Sequence, residues 1–295
     1  MIKNTTGKKG FAYNFTVQID KQTKNGLQFN AAYTYGNSQV RNEATSSINT
    51  SNWSFMETLN GRNYNTLSAS DFDLGHRIYA LISKKFTYAN KHAATTLTLT
   101  YNGQSGNTFS YVYSGGLVGD GVTGNDLMYI PTSRAQMDLM TFVNTTAVVN
   151  GVTTTILPTQ QKDDFEAFIE ADPYLKKRRG QYADRNGARL PFTHILDFSA
   201  AQDIMFKTGK TTHKLTFAVD IFNLTNLISK DAGRQFFLSN DQASPVAFRG
   251  YTGVTTPTFS FNKPANNKSY VINDVQTSAN TSARWNGQFT VRYSF

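Results

Sequence analysis

The sequence lacks cysteine and long apolar runs. With no cysteine in its 295 residues, the chain has no disulfides, thiolate nucleophiles, iron–sulfur clusters or cysteine-ligated zinc. No apolar stretch approaches the roughly 20 residues that a membrane-spanning helix needs, and the mean hydropathy is −0.42. These absences exclude a helical membrane protein and leave the redox compartment undefined.

A secretory leader is also missing from the start of the chain. Residues 1–10 are basic, but Phe11-Ala12-Tyr13-Asn14 follow where an apolar segment would be needed. Since the rest of the sequence predicts an exported protein, we expect the chain to begin downstream of the natural start of its gene product. The formal charge is +9, from 29 Lys and Arg against 20 Asp and Glu. No nucleic-acid-binding module accompanies this charge, so we expect no nucleic-acid partner.

Aromatic residues are abundant, and apolar residues alternate strictly with polar ones. Phe and Tyr number 22 and 15, and a period of two places them on one face of a strand. The pattern recurs in seven segments that are long enough to cross a bilayer at the tilt of a barrel, whereas strands of soluble domains are usually shorter. The segments are residues 11–19, 27–35, 72–86, 97–113, 192–206, 214–221 and 285–295.

The connections between these segments are alternately short and long. Residues 21–26, 89–92 and 207–212 are short turns, whereas the long loops lie near 36–70, 115–190 and 227–283. Short turns on one side and long loops on the other are typical of outer-membrane barrels, with the long loops outside the cell. This predicts an all-β fold, a transmembrane antiparallel β-barrel segment. Interfacial aromatic residues are then expected outside at Tyr13, Tyr33, Tyr35, Phe72, Tyr111, Tyr113 and Phe192, and inside at Phe86, Phe206, Tyr293 and Phe295.

About seven strands cannot form a bacterial single-chain barrel, which closes with an even number of at least eight. An open sheet in lipid would leave two unpaired edges, each costly in unsatisfied backbone groups. The sequence therefore predicts the C-terminal portion of a larger barrel, or one copy in an oligomeric pore or adhesin-like barrel. A soluble β-sandwich binding module is the remaining alternative.

Four features, in chain order, carry a resemblance to a known family. They are GNDLMYIP at 124–131, DPYL at 172–175 with RRGQY at 178–182, DIFNLTN at 220–226, and the terminal Phe295 that closes an alternating strand. Together they resemble the C-terminal barrel portion of TonB-dependent outer-membrane receptors, in particular the Oar-like branch with a carboxypeptidase-regulatory-like N-terminal domain.

The resemblance implies a barrel of the 22-stranded type with a plug domain in its lumen, located in the bacterial outer membrane. Implied partners are outer-membrane lipid, the remainder of the barrel and its plug, an extracellular ligand, and an inner-membrane energy-coupling complex reached through the receptor's N-terminal part. The plug, the coupling box and the signal peptide are not in this sequence. The resemblance also implies that Phe289, Val291, Tyr293 and Phe295 form the signal that the barrel-insertion machinery reads.

Two loop stretches are candidate binding sites. In the glycine-rich residues 115–126, Asp120, Asn125 and Asp126 offer oxygen ligands for Ca²⁺, or form an ordinary Asx/Gly turn. Residues 161–179 place Phe165, Phe168, Ile169 and Leu175 at helical spacing, which predicts a short amphipathic helix. The basic run at 176–179 then either meets lipopolysaccharide phosphates or an anionic ligand, or is a solvated charge run that ends the helix.

Enzymatic and metal motifs are missing from the sequence. The chain has no nucleophile elbow, phosphate loop, dinucleotide fingerprint or HExxH pair, so we expect no enzyme, cofactor or metal centre. Asp163 and Asp164 are adjacent on the predicted helix and should diverge. Polar residues of the lumen face either contact a plug or a solute, or are solvated by the water of the lumen. They are expected at Asp73, Arg77, Asn102, Gln104, Asp197, Asp203, Asp220, Gln288 and Arg292.

Overall fold

A seven-stranded antiparallel sheet, called the long sheet below, dominates the fold. The computed structural model describes residues 7–149, 151–272 and 283–295. The strands pair with their neighbours in chain order, as a meander, which confirms the all-β class and the seven alternating segments. The strands are Phe11–Gln22, Leu27–Val40, Gly75–Tyr88, Ala93–Gln104, Thr193–Thr208, Thr211–Phe222 and Asn286–Ser294. The short strand Ser68–Ala69 extends the edge of the second strand.

The register places the alternating apolar positions on one side of the long sheet, called the apolar face. Val17 lies opposite Tyr33, which lies opposite Ile78 on the third strand. At the other end of the sheet, Phe217 lies opposite Val291. The same face carries Phe15, Ile19, Phe29, Ile82, Leu97, Leu99, Phe198, Ile204, Leu215, Val219 and Phe289.

Polar side chains occupy the opposite face and bond across neighbouring strands. The Thr216 hydroxyl donates to Asp203 Oδ1 at 2.6 Å, and Asn30 Nδ2 donates to Asp20 Oδ2 at 3.0 Å. Such cross-strand pairs each add a few tenths of a kcal/mol to about 1 kcal/mol to a sheet. The polar face is therefore stabilised by its own hydrogen bonds and needs no apolar cover.

The three short connections form tight turns, as the sequence predicts. Gly26 has φ +80°, a left-handed conformation that L-residues rarely adopt, and a Cβ there would lie 2.5 Å from the Lys85 carbonyl oxygen. The second turn is the 3-10 helix Ala89–Lys91, with Asn90 at φ 52°. In the third, Gly209 has φ +63°.

The long connections fold together around a second sheet, called the small sheet. Its five strands are, in order across the sheet, Ala188–Arg189, Thr108–Ser114, Gln242–Thr252, Thr256–Phe261 and Thr141–Phe142. Gln242–Thr252 is parallel to Thr108–Ser114, and Thr256–Phe261 is parallel to Thr141–Phe142. The small sheet thus joins strands from the second and third loops.

Shorter elements complete the loops. Three strand pairs join Tyr129–Ile130 to Gln181–Tyr182, Thr145–Val149 to Val152–Ile156, and Phe236–Phe237 to Val271–Ile272. The helices are Asn49–Ser54, Arg134–Asp138, Pro158–Ala171, Pro173–Lys177 and Leu224–Ile228, with 3-10 turns at Ser239–Asp241 and Ala265–Asn267. No helix in the described part of the chain is long and apolar enough to cross a membrane.

The hydrophobic core lies among the loops and not on the long sheet. The predicted amphipathic helix is present as Pro158–Ala171, and its Phe165, Phe168 and Ile169 are fully buried. Phe168 lies edge-on to Tyr111 and tilted against Phe261 of the small sheet. This loop core comprises mainly Phe109, Tyr111, Met128, Ile130, Met137, Phe165, Phe168, Ile169, Leu175, Val246, Phe259 and Phe261.

The fourth predicted segment, residues 97–113, is wrong as a single strand. The long-sheet strand ends at Gln104, and Thr108–Ser114 begins a strand of the small sheet. At the break, a Cβ on Gly106 would lie 2.6 Å from the Leu190 carbonyl oxygen, so the two backbone segments pass close to each other. Tyr111 and Tyr113, expected at the outer membrane interface, are instead buried at 0% and 4% exposure.

The start of the third strand also moves, because loop residues ahead of it bind each other. The third strand begins at Gly75, which leaves Phe72 in the first loop. Asp73, expected on the lumen face, also lies in that loop, where its carboxylate pairs with Arg189 of the second loop. The long loops of the structure are residues 41–74, 105–192 and 223–285.

We expect Phe168→Ala to lower the free energy of unfolding of the loop core by about 3–5 kcal/mol, because it leaves a cavity among aromatic rings. Urea unfolding followed by tryptophan fluorescence measures this, since Trp53 lies in the first loop. Val254→Ala is the control, at a side chain that is 93% exposed, and should change stability by no more than about 0.5 kcal/mol. Equal midpoints for the two variants would contradict the assignment of the core.

Candidate functional site

A cavity of about 360 Å³ opens where the three long loops meet. Its volume lies within the range of small-ligand sites. Most of the residues that line it are polar, with amide or carboxylate side chains prominent among them. The lining residues are Asn42, Glu43, Ala44, Thr45, Ser46, Ser51, Asn52, Phe55, Met56, Glu57 and Asp71 from the first loop, Thr123, Gly124, Asn125 and Arg185 from the second, and Asn240, Asp241 and Gln242 from the third.

The cavity is acidic. Its wall carries Glu43, Glu57, Asp71 and Asp241 against the single cation Arg185. Four carboxylates and one guanidinium give a formal charge of −3 when all are ionised. An enclosed site of this charge attracts cations and repels simple anions.

Hydrogen bonds hold the first loop against the second on one side of the cavity. Glu43 accepts from the Asp71 backbone N–H at 2.8 Å and from the Ser70 hydroxyl at 3.1 Å. Asp71 in turn accepts from Asn186 Nδ2 at 2.6 Å. Burial raises the pKa of Glu43, and the hydrogen bond from Asp71 opposes that rise. The Glu43 and Asp71 carboxylates therefore bind other loop residues and stabilise the cavity wall.

Glu57 links the first loop to the third. Its Oε1 accepts from Gln242 Nε2 at 2.8 Å. Burial raises the pKa of Glu57, and this hydrogen bond only partly offsets the cost of desolvating the charge. Burial also raises the pKa of Asp241, on which the nearby Asp71 acts in the same direction.

Arg185 is a buried cation that lacks a full set of partners. It is 2% exposed, and its Nη2 donates to the Val40 carbonyl oxygen at 2.5 Å. Its Nη1 has no hydrogen-bond partner among the described residues, nor does any carboxylate there lie within ion-pair distance of it. Burial lowers its pKa, and the charges of Glu57, Glu43 and Asp71 oppose this from a distance.

Asn125 supplies a second unsatisfied atom on the cavity wall. The residue is 1% exposed, and its Nδ2 donates to the Ser54 carbonyl oxygen at 3.5 Å. Its Oδ1 is buried without a partner within the described chain. Buried polar groups are almost always bonded to protein, water or ligand. Arg185 and Asn125 thus leave one donor and one acceptor buried without a partner beside the cavity.

The three predicted calcium ligands lie in different surroundings. Asp120 accepts from the Val122 backbone N–H at 3.0 Å, as in an Asx turn, and pairs with Arg62 Nε at 3.1 Å. Asp126 accepts from the Val118 backbone N–H at 3.0 Å, whereas Asn125 lines the cavity. Within the described ranges no group of three or more His, Asp or Glu could hold a metal ion. The contacts of Asp120 and Asp126 to nearby backbone N–H groups are those expected of an ordinary Asx/Gly turn.

The basic run at 176–179 is largely neutralised by the chain itself. Arg179 Nη2 lies 2.5 Å from Glu166 and 2.7 Å from Glu170. Lys176 also pairs with Glu170, and Arg178 pairs with Asp184 at 2.6 Å. These ion pairs fix the end of the helical region and occupy most of the cations that a phosphate group would need.

Other predicted residues lie where the sequence places them. Asp163 and Asp164 diverge, since Asp163 accepts from Arg134 and Asp164 pairs with Lys263 at 2.6 Å. Phe289, Val291, Tyr293 and Phe295, expected to form the insertion signal, are 66%, 55%, 53% and 87% exposed along the seventh strand and its end.

No protein-family model, curated protein or solved structure matches the chain. The motifs that carry the family resemblance have structural roles of their own. In the first, Met128 is buried in the loop core. In the second, Asp172 caps the helix Pro173–Lys177 and accepts from the Tyr111 hydroxyl at 2.6 Å. In the third, Asn223 has φ 56° and starts the helix Leu224–Ile228.

The cavity has no signature in the sequence. Glu57, Arg185 and Asp241 are far apart in the chain and share no motif spacing. They meet because strands of the second and third loops pair in the small sheet and Thr58 of the first loop bridges Asp126 of the second. A buried arginine cannot be told from a surface arginine by its neighbours in sequence.

We expect Glu57→Gln to stabilise the protein at pH 8 and to flatten its pH dependence. Because the pKa of Glu57 is raised from 4.5, the folded state binds this proton more tightly than the unfolded chain does. Stability contributed by Glu57 is therefore lost as the pH rises through the raised pKa. Gln keeps the amide contact to Gln242 without the buried charge.

Thermal unfolding at pH 5 and pH 8 tests this expectation. Glu170→Gln is the matched control, because Lys176 and Arg179 lower the pKa of Glu170. Its stabilising charge is present above the ordinary pKa, so this second variant should lose stability at pH 8. A loss of stability in Glu57→Gln at pH 8 would contradict the desolvation argument.

Proposed function

We propose that the chain is a wall segment of an outer-membrane β-barrel receptor, whose three long loops capture a ligand outside the cell. The observation that carries the proposal is the apolar face, which the described residues leave uncovered. Phe15 is 61% exposed, Ile19 60% and Ile82 48%. None of the residues of the loop core comes from the seven strands of the long sheet.

This exposure favours lipid over water as the surroundings of the apolar face. In a soluble sandwich, each sheet would bury one face against the other. Here the small sheet packs with the loop helices, and the long sheet shows no such partner among the described residues. Contiguous apolar patches of this extent on soluble monomers are rare. The soluble-module alternative therefore explains the molecule less well.

Aromatic residues at both ends of the apolar face support a membrane-spanning orientation. Near the loop end, Tyr33 bonds His76 and Tyr101 bonds His194, each with 2.7 Å between the hydroxyl and Nδ1. Near the turn end, Tyr293 bonds His213 at 2.6 Å. Amphipathic rings of this kind favour the boundary between lipid and water.

The spacing of these aromatic ends fits a bilayer. On the third strand His76 and Phe86 are ten positions apart, which is roughly 33 Å along a strand. At a tilt of about 40° this is about 25 Å along the bilayer normal, the height of the apolar band of outer-membrane barrels. The polar opposite face then lines a wet lumen.

The two edges of the long sheet require more strands. In the described residues, the first and the seventh strand each pair with a single neighbouring strand. Lipid cannot satisfy the exposed backbone groups, so other strands must cover both edges. The family resemblance favours the remainder of a plugged, TonB-coupled barrel, and the open edges alone also fit copies of this chain in an oligomeric pore.

We expect Val291→Arg and Leu99→Arg each to lower the stability of the membrane-inserted protein by about 2–4 kcal/mol, because each places a charge in the middle of the lipid-facing band. Urea unfolding of protein refolded into phospholipid vesicles measures the loss. Thr290→Arg and Thr98→Arg are the matched controls, one position away on the polar face, and should change stability far less. The proposal fails if lipid-face and polar-face variants behave alike.

A further inference from the structure

We propose that the acidic cavity binds a ligand that carries one carboxylate and at least one ammonium group, such as the C-terminal end of a short basic peptide. The inference rests on the proposed function only for the location of the cavity outside the cell. The binding chemistry follows from the cavity wall alone.

Arg185 requires the carboxylate. Arg185 lines the cavity, and its Nη1 is buried and has no partner in the described chain. The nearby carboxylates do not reach it within ion-pair distance, because Glu43 and Asp71 are engaged by Ser70, by the Asp71 backbone and by Asn186. A carboxylate oxygen on the ligand would accept from this donor, and such charge-assisted hydrogen bonds are the stronger ones in proteins.

The remaining carboxylates require the ammonium group. No hydrogen bond or ion pair to the Asp241 side chain occurs in the described residues, and the only other side chain there that bonds the Glu57 carboxylate is the neutral Gln242. With a formal charge of −3 on the wall, phosphate or sulfate would be repelled. A neutral sugar would leave both the acidic excess and Arg185 uncompensated. A ligand with charges of both signs satisfies each group.

An apolar part of the wall fits the methylene chain of a basic side chain. Phe55 and Met56 line the same cavity, and Phe55 is 66% exposed. An aromatic face beside carboxylates favours a cation through both its apolar surface and its quadrupole. Asn125 Oδ1, buried and unpaired, would accept from a peptide or ammonium N–H.

Isothermal titration of the full chain, refolded in detergent micelles, with lysyl-lysine tests the inference. Lysyl-lysine amide keeps all three ammonium groups of lysyl-lysine without the carboxylate, and glutarate has carboxylates without an ammonium group. We expect lysyl-lysine to bind about tenfold or more tighter than either, the effect of losing one charged hydrogen bond. Tighter binding of maltose or inorganic phosphate, or equal binding of all probes, would overturn the inference.

Two variants assign the binding to the cavity. Asp241→Asn should weaken lysyl-lysine binding about tenfold, whereas Asp231→Asn, a surface control paired with Arg234, should not. Arg185→Gln, which removes the guanidinium charge, should remove the preference for lysyl-lysine over its amide. If that buried variant does not fold, Asp241→Asn decides alone, and unchanged affinity in Asp241→Asn would overturn the inference.

The same preparation separates this inference from the proposed function. Chain that inserts into vesicles but does not bind lysyl-lysine refutes the ligand assignment and leaves the receptor proposal standing. Chain that binds lysyl-lysine in its cavity but shows no difference between Val291→Arg and Thr290→Arg supports the ligand assignment and refutes the membrane orientation.

Discussion

The antiparallel register of the long sheet is the constraint on which the rest of the molecule depends. Because side chains alternate between faces with a period of two, a slip of one residue would move every apolar side chain of a strand to the polar face. The pairing of Val17 with Tyr33, of Tyr33 with Ile78 and of Phe217 with Val291 keeps one face apolar across all seven strands. That exposed face is the basis of the proposal that lipid surrounds the long sheet.

The same register sets where the loops begin. All three long connections leave the sheet at one end, since the short turns lie at the other. Brought together there, the loops satisfy their backbone groups in the small sheet and bury their apolar residues in the loop core. The acidic cavity is a consequence of this packing, because its wall takes residues from all three loops.

Strong local patterns made much of the fold predictable. The alternation from Phe11 to Ile19 and the turn at Gly26 are local signals, and the structure contains both. The helix Pro158–Ala171 was predicted from the spacing of Phe165, Phe168 and Ile169. Residues 97–113 misled the prediction because Phe109, Tyr111 and Tyr113 continue the same alternation into another sheet. Period alone does not reveal that a strand has changed partners.

The cavity could not be predicted, because it depends on contacts between distant residues. Arg185 and Val40 are 145 positions apart, and Gln242 and Glu57 are 185 apart. No spacing in the sequence encodes such pairs. The predicted calcium site shows the converse. Asp120, Asn125 and Asp126 are close in sequence and were expected to bind one ion together. Instead, Asp120 pairs with Arg62 while Asn125 faces the cavity.

Single-cysteine scanning of the seventh strand in lipid vesicles tests the central claim most directly. The chain has no cysteine of its own, so each variant can carry one environment-sensitive fluorophore. The account predicts blue-shifted emission, quenched by lipid-soluble quenchers, at Phe289→Cys, Val291→Cys and Tyr293→Cys. It predicts water-like emission at Gln288→Cys, Thr290→Cys and Arg292→Cys. The same emission at neighbouring positions, with no period of two, would contradict a lipid-facing apolar face.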